Sequence, residues 1–191
     1  MAWMAVFLLV LALVAIGLIA QGVALYNGLV QVKHQVDQAW SNIDVLLKQR
    51  HDELPKLIDA VKRYLTHERE LLHSVTALRM RAQAIASGEG RVEAEQALSQ
   101  GVSKLLAVAE SYPTLRASEV FIDLQQRISA LEEQIAHRRE FYNAAVNINN
   151  VRMKQFPDLL LASMVGLQRK PLFEATPPER SDVDVGSRLV A

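Results

Sequence analysis

The chain has 191 residues, with 21 basic and 21 acidic side chains and no cysteine. This length suits one modest domain, and a formal net charge of zero provides no overall attraction to nucleic acid. Because of this neutral charge we expect no nucleic-acid partner. The lack of cysteine excludes disulfides and thiolate metal sites.

An uncharged stretch opens the sequence and predicts a membrane anchor. Residues 1–30 contain no charged side chain, and residues 7–20 read FLLVLALVAIGLIA. A transmembrane helix needs about 20 apolar residues, so we interpret residues 1–28 as a single-pass anchor. A cleaved signal peptide is the alternative, but no basic residue precedes the apolar run and no persuasive small-residue cleavage site follows it.

The basic residues near the anchor predict its orientation. Lys33, Lys48 and Arg50 follow the apolar span, whereas no basic residue precedes it. Because cytoplasmic flanks of membrane spans are richer in Lys and Arg, we expect the rest of the chain to lie in the cytoplasm.

Beyond the anchor, apolar residues recur with the spacing of an amphipathic helix. They step by three, four or seven and would form one buried stripe: Val36, Trp40, Ile43, Leu47, Leu54, Ile58, Val61, Leu65, Leu72 and Val75. Pro55 lies inside this stripe, where it removes a backbone donor and clashes with the preceding turn. We expect a new helix to begin there, with Asp52 as its candidate N-cap. One long helix kinked at Pro55 is the alternative.

Two further helices are expected after this stripe. The glycines of SGEG (residues 87–90) end the region. Apolar spacing then predicts a helix over residues 92–111, stopped by Pro113, and a last helix from Ser118 towards Pro157.

Together these patterns predict an all-α protein, since no stretch alternates with period two. The favoured fold is a transmembrane helix followed by an antiparallel up-and-down four-helix bundle over residues 29–170. Three long helices, the first kinked at Pro55, are the alternative. Residues 171–191 are polar and contain prolines, so we expect a flexible tail. The candidate core anchors on the stripes are Trp40, Ile43, Ile58 and Leu131.

Several long motifs are spread over nearly the whole chain. In order they are YN at residues 26–27 with LV at 29–30, AWSNIDVLLKQRHDELPKLIDAVKRYLTHE at 39–68, LLAVAESYPTLRASEVFIDLQQRI at 105–128, YNAAVNINN at 142–150, FP at 156–157 and FEA at 173–175. Their content and order resemble the LemA family. The sequence departs from the family's pattern at residues 45–47, which read VLL where a polar residue is usual, and at residues 165–167, which lack the usual aromatic side chain.

The resemblance has implications for location and function. It implies a single-pass protein of the bacterial inner membrane with a four-helix, up-and-down bundle. It also implies a poorly defined molecular function with no enzymatic activity assigned. Some relatives take part in forming the magnetosome membrane, which hints at a role in membrane organisation.

An asparagine-rich face on the last helix is a candidate contact surface. Asn143, Asn147 and Asn150 fall at i, i+4 and i+7 beside Tyr142. In a four-helix bundle this face would lie alongside residues 26–27, and the following FPDLLLASMVGL would rest at the membrane interface. The candidate partner-facing or membrane-facing residues are Tyr26, Asn27, Tyr142, Asn143, Asn147, Asn150, Phe156 and Pro157.

Structural interpretations of the same residues remain open. The asparagines could be solvated, or Asn149 could fix the register inside the bundle, as a buried polar residue can. The apolar segment after Phe156 could equally fold back into the core instead of lying on the membrane.

No arrangement of residues in the sequence predicts catalysis. Glu70 and His73 have the Glu-x-x-His spacing of di-iron bundles, but such sites need a second copy, and Glu133 and His137 are one residue too far apart. We therefore expect no cofactor and a non-enzymatic scaffold or adaptor. A cryptic enzyme or metal-binding bundle is the alternative. The expected partners are the lipid bilayer, other membrane proteins and, in a homo-oligomer, a second copy of the chain.

Overall fold

A computed structural model describes residues 2–173, and these residues form helices and no strand. The helices are α1 (Ala2–Val61), α2 (Arg69–Ala84), α3 (Glu89–Ala109), α4 (Pro113–Arg116), α5 (Glu119–Arg152) and α6 (Asp158–Val165). The prediction of an all-α fold is confirmed. The predicted tail beyond residue 173 lies outside the described residues.

The first helix has two parts with opposite surroundings. Its apolar N-terminal part contains a window of 18 residues with a mean hydropathy of 2.8, none of it buried against the protein. By length and composition it is the one helix in the described residues that could cross a membrane. From Leu29 onward, α1 buries residues at helical spacing, beginning with Leu29, Val32 and Val36.

The expectation that a helix begins at Pro55 is wrong, because Pro55 lies inside α1 and the helix continues to Val61. An internal proline costs a helix about 3 kcal/mol. Leu54, Leu57 and Val61 are fully buried around it, and burying one such side chain contributes about 1.5–3 kcal/mol. Burial on both sides of Pro55 therefore outweighs the lost hydrogen bond. The chain breaks instead over residues 62–68.

The long helices alternate in direction. The contacts of Gly28 with Arg152 and of Arg50 with Glu132 show that α5 is antiparallel to α1. The contacts of Gly90 with Ile85 and of Gly101 with Leu78 show that α3 is antiparallel to α2. The contacts of Asp44 with Arg91 and of His51 with Glu95 show that α3 is parallel to α1. The four long helices therefore form an up-and-down arrangement. The three-helix alternative is wrong, and α5 returns towards the apolar part of α1.

The core consists of three apolar clusters along the bundle. The largest lies where the end of α1 meets α2, α3 and α5. A second surrounds Trp40, and a third joins Leu29 to α6. Among the candidate core anchors, Ile43 and Leu131 are buried, whereas Trp40 and Ile58 are partly buried against these clusters.

Candidate functional site

Three asparagines of α5 hold the end of the described chain. We call Asn143, Asn149 and Asn150 the asparagine clamp, and residues 168–173 the C-terminal segment. The Asn143 amide donates to the Phe173 carbonyl at 2.8 Å and accepts from the Phe173 N–H at 2.9 Å. Asn150 pairs in the same way with Lys170, at 3.0 and 3.1 Å. Each side chain thus satisfies both main-chain groups of one residue.

The spacing of this clamp matches an extended chain. Asn143 and Asn150 are two helical turns apart, about 10.5 Å along the axis. Lys170 and Phe173 are three residues apart, which an extended chain covers in about 10 Å. Between them, Pro171 has no N–H that would need a partner. A third contact, from Asn149 Nδ2 to the Gln168 carbonyl at 2.9 Å, secures the start of the segment.

An aromatic box receives the last described side chain. We give this name to Trp40 and Tyr142, whose ring centroids lie 5.5 Å apart. The Phe173 ring stacks on Trp40 at 6.2 Å and meets Tyr142 edge-on at 5.6 Å. The Arg139 guanidinium lies 4.9 Å from the centre of the Phe173 ring, a cation–π distance. Burial raises the pKa of Tyr142 to about 12.

These contacts correct the predicted roles of several residues. Tyr142 is 3% exposed, because the core and Phe173 cover its ring, so it does not lie on the open surface. Asn143 and Asn150 are occupied by the chain itself, whereas Asn147 is exposed. Phe173 is 4% exposed, so the packed part of the protein extends past the predicted tail boundary at residue 171.

A cleft lies beside the C-terminal segment. It has a volume of about 970 Å³ and is bordered by α1, the turn before α3 and the segment. Its charged lining residues are Asp37, Glu89, Glu93, Arg169 and Lys170. One wall is therefore acidic, and the wall formed by the segment is basic.

The short helix α6 is fixed to α1 just beyond the apolar span. Leu29 packs against Ala162 and Val165. Lys33 Nζ donates to the Val165 carbonyl at 3.1 Å, which satisfies a C-terminal acceptor of α6. Gly166 then turns the chain with a positive φ of 71°.

The connection before α6 is also tied to α1. Arg152 Nη1 donates to the Gly28 carbonyl at 3.1 Å, and Arg152 Nε donates to Asp158 at 2.6 Å. The end of α5 therefore lies next to the region of Tyr26 and Asn27, which are both exposed.

The opposite face of α6 is apolar and exposed. Met164 is 73% exposed, Leu160 62% and Leu159 49%, and Phe156 just before the helix is 79% exposed. Pro157 is partly buried. The segment thus combines both interpretations made from its sequence, because one face packs on the protein and the other remains open.

A buried ionic cluster crosses the middle of the bundle. Arg50, fully buried, forms an ion pair with buried Glu95 and donates to Ser99 at 2.6 Å and to Glu132 at 2.8 Å. His51 Nε2 lies 3.0 Å from the other oxygen of Glu95. Burial raises the pKa of Glu95, but the His51 hydrogen bond and the Arg50 charge outweigh it, so the pKa falls below its ordinary value of 4.5.

This cluster was missed by reasoning from the sequence, although a signal was present. Arg50 lies three residues after Leu47 and four before Leu54, so it falls on the apolar stripe of α1. A charged residue on such a stripe indicates a buried ion pair. Within residues 2–173, no three His, Asp or Glu side chains converge as a metal site.

The chain is similar to proteins of one family over most of its length. A family model described as the LemA family matches residues 39–186. Protein LemA of Metamycoplasma hominis is 27% identical over 83% of this chain and 73% of its own length.

Magnetosome proteins are similar to part of the chain. Magnetosome protein MamQ 2 of Paramagnetospirillum magneticum is 30% identical over 49% of this chain. Magnetosome protein MamQ of Magnetospirillum gryphiswaldense is 26% identical over 48% of this chain. In both cases the match spans only 34% of the relative's length. Because the family model covers more than half of the sequence, this membrane-associated chain belongs to the LemA family.

Proposed function

We propose that this protein is a non-enzymatic scaffold or adaptor of the bacterial cell envelope. In this proposal residues 1–28 cross the inner membrane once, and the bundle stands on its cytoplasmic side. The basic residues after the span support that orientation. The similarity to proteins named as magnetosome proteins supports a role in membrane organisation.

The observation that carries the proposal is the position of α6. Leu29, which contacts α6, follows directly after the proposed anchor. The exposed side chains of Phe156, Leu160 and Met164 therefore lie close to the level where α1 leaves the bilayer. An apolar helix face at this level would enter the boundary between headgroups and acyl chains by about 5–10 Å.

The dimensions and internal pairing of the bundle suit a scaffold. From Leu29 to Val61, α1 extends about 48 Å at 1.5 Å per residue, so a long rigid surface would project from the membrane. Arg50, Glu95 and Ser99 bind one another inside it. Apart from Arg50 Nε, their polar side-chain atoms are thus used for pairing within the bundle, which supports a non-enzymatic role.

The membrane contact of α6 can be tested with single cysteines, since the chain has none. Leu160→Cys and Met164→Cys would carry an environment-sensitive dye in lipid nanodiscs that contain spin-labelled lipids. We expect strong quenching at both positions. Val45→Cys is the matched control, because Val45 is 57% exposed on α1 but about 24 Å beyond Leu29.

Equal quenching at all three positions, or quenching at none, would contradict the proposed placement of α6. The non-enzymatic part has a separate test. One tightly bound metal ion per chain in the purified protein would instead favour the metal-binding alternative.

A further inference from the structure

The C-terminal segment is held mainly through its backbone. Asn143 and Asn150 pair with the peptide groups of Phe173 and Lys170, and do not read their side chains. Main-chain pairing of this kind binds any extended peptide of suitable register, whereas side-chain pockets supply specificity. The clamp therefore has the recognition chemistry of a peptide-binding site.

Specificity comes from the aromatic box. Phe173 contacts Trp40 and Tyr142 through its ring, and the Arg139 guanidinium covers it. A ring at this position is buried and stacked, whereas the neighbouring Leu172 side chain is 44% exposed. The site thus selects an aromatic side chain three residues after the position paired with Asn150.

The cleft beside the segment adds a charge preference. Asp37, Glu89 and Glu93 are exposed on its acidic wall and form no ion pair within the described residues. Arg169 and Lys170 of the segment line the same cleft. Basic residues shortly before the aromatic ring are therefore complementary to this wall.

We propose that the asparagine clamp and the aromatic box form a binding site for an extended, basic and aromatic segment of a partner protein. The chain's own C-terminal segment fills this site when the partner is absent. This inference rests on the proposed adaptor role and names its partner class. A second copy is the weaker occupant, because its identical segment lacks the high effective concentration of the tethered one.

The test uses the full chain in detergent micelles with the background change Trp3→Phe. Trp40 is then the only tryptophan and reports on the ring beside it. The probe is the synthetic hexapeptide QRKPLF, capped at both ends, which reproduces residues 168–173. Phe173→Ala weakens the resident segment without changing the asparagine clamp.

We expect QRKPLF to bind the Phe173→Ala variant at least about tenfold more tightly than it binds the unaltered chain, since loss of a buried ring weakens the competitor. The peptide QRKPLA should bind the variant at least about tenfold more weakly than QRKPLF. The peptide QQQPLF should bind the variant about two- to fivefold more weakly than QRKPLF, and this difference measures the contribution of the acidic wall to binding.

The asparagines are tested in the Phe173→Ala background. Asn143→Ala and Asn150→Ala should each weaken binding of QRKPLF, whereas Asn147→Ala should not. Asn147 is the matched control because it is an exposed asparagine of the same helix. If an Asn variant loses helical circular dichroism, the peptide comparison on Phe173→Ala alone still decides the question.

Two outcomes would overturn the inference. Equal binding of QRKPLF and QRKPLA would show that no aromatic site exists. A dimer of the unaltered chain that Phe173→Ala dissociates in analytical ultracentrifugation would assign the site to a second copy. Because the assay is performed in micelles, failure of peptide binding is distinguishable from failure of α6 to touch a bilayer.

Discussion

Removal of the Glu95 carboxylate should strongly destabilise the bundle. Glu95→Ala leaves the fully buried Arg50 charge without its closest partner. Breaking a buried ion pair in this way costs about 3–5 kcal/mol. Arg50 keeps Glu132 and Ser99 as partners, so we expect the lower end of that range, about 3 kcal/mol.

The measurement is thermal unfolding of the full chain in detergent, followed by circular dichroism. For a chain of this size about 1 kcal/mol corresponds to roughly 2–4 °C, so Glu95→Ala should lower the Tm by about 6–12 °C. Asp123→Ala is the surface control, since its ion pair with Arg127 is largely exposed. Its effect should stay within about 0.5 kcal/mol.

The double variant Arg50→Met/Glu95→Leu separates pairing from packing. Replacement of a whole buried ion pair by apolar side chains is often neutral or stabilising. The two charged partners that remain, Arg91 and Glu132, are not fully buried, so the double variant should be more stable than Glu95→Ala. A Glu95→Ala loss below about 1 kcal/mol, or a double variant less stable than the single one, would refute this reasoning.

The lowered pKa of Glu95 gives the same cluster a pH dependence. A carboxyl group whose pKa is lower in the folded state stabilises the fold above its unfolded pKa. For Glu95, whose ordinary pKa is 4.5, this stabilisation is lost as the pH falls from about 4.5 through the lowered pKa. The fall in Tm of the unaltered chain below this pH should therefore be steeper than that of Glu95→Gln.

Three further predictions concern Tyr142, Gly166 and the orientation. The pKa of Tyr142 is raised to about 12, so its neutral phenol stabilises the fold below the ordinary tyrosine pKa of 10, and this stabilisation is lost as the pH rises through 12. Tyr142→Phe should therefore remove the last step of an absorbance titration at 295 nm. Gly166→Ala should cost about 1 kcal/mol in chemical unfolding, because its φ of 71° is strained for alanine; no loss would contradict this. With single cysteines at Ala2 and Ser181 in intact cells, an impermeant thiol reagent should label Ala2 alone, and labelling of Ser181 alone would place the bundle outside the cytoplasm.

Much of the architecture could be predicted because it depends on local patterns. The 3.6-residue spacing of Ile43, Leu47 and similar residues requires helices with one buried face. The uncharged run before Val30 predicts a membrane span from its composition alone. Both patterns are complete within a short window of sequence.

The behaviour of Pro55 could not be predicted from such a window. The sequence shows the lost hydrogen bond, whereas the compensating burial of Leu54, Leu57 and Val61 depends on helices that are distant along the chain. Local cost and tertiary gain have similar magnitudes, so only the packed structure decides between them.

The candidate site shows the same division. The sequence by itself predicted an asparagine face on the last long helix. Only the tertiary structure decided that this helix runs back towards the apolar part of α1. Only the tertiary structure decided that Asn143 and Asn150 bind the chain's own segment, and that Arg50 meets Glu95 inside the bundle. The reason is physical: a polar side chain forms hydrogen bonds only with donors or acceptors that lie within about 3 Å, and the packing of whole helices decides which groups lie there.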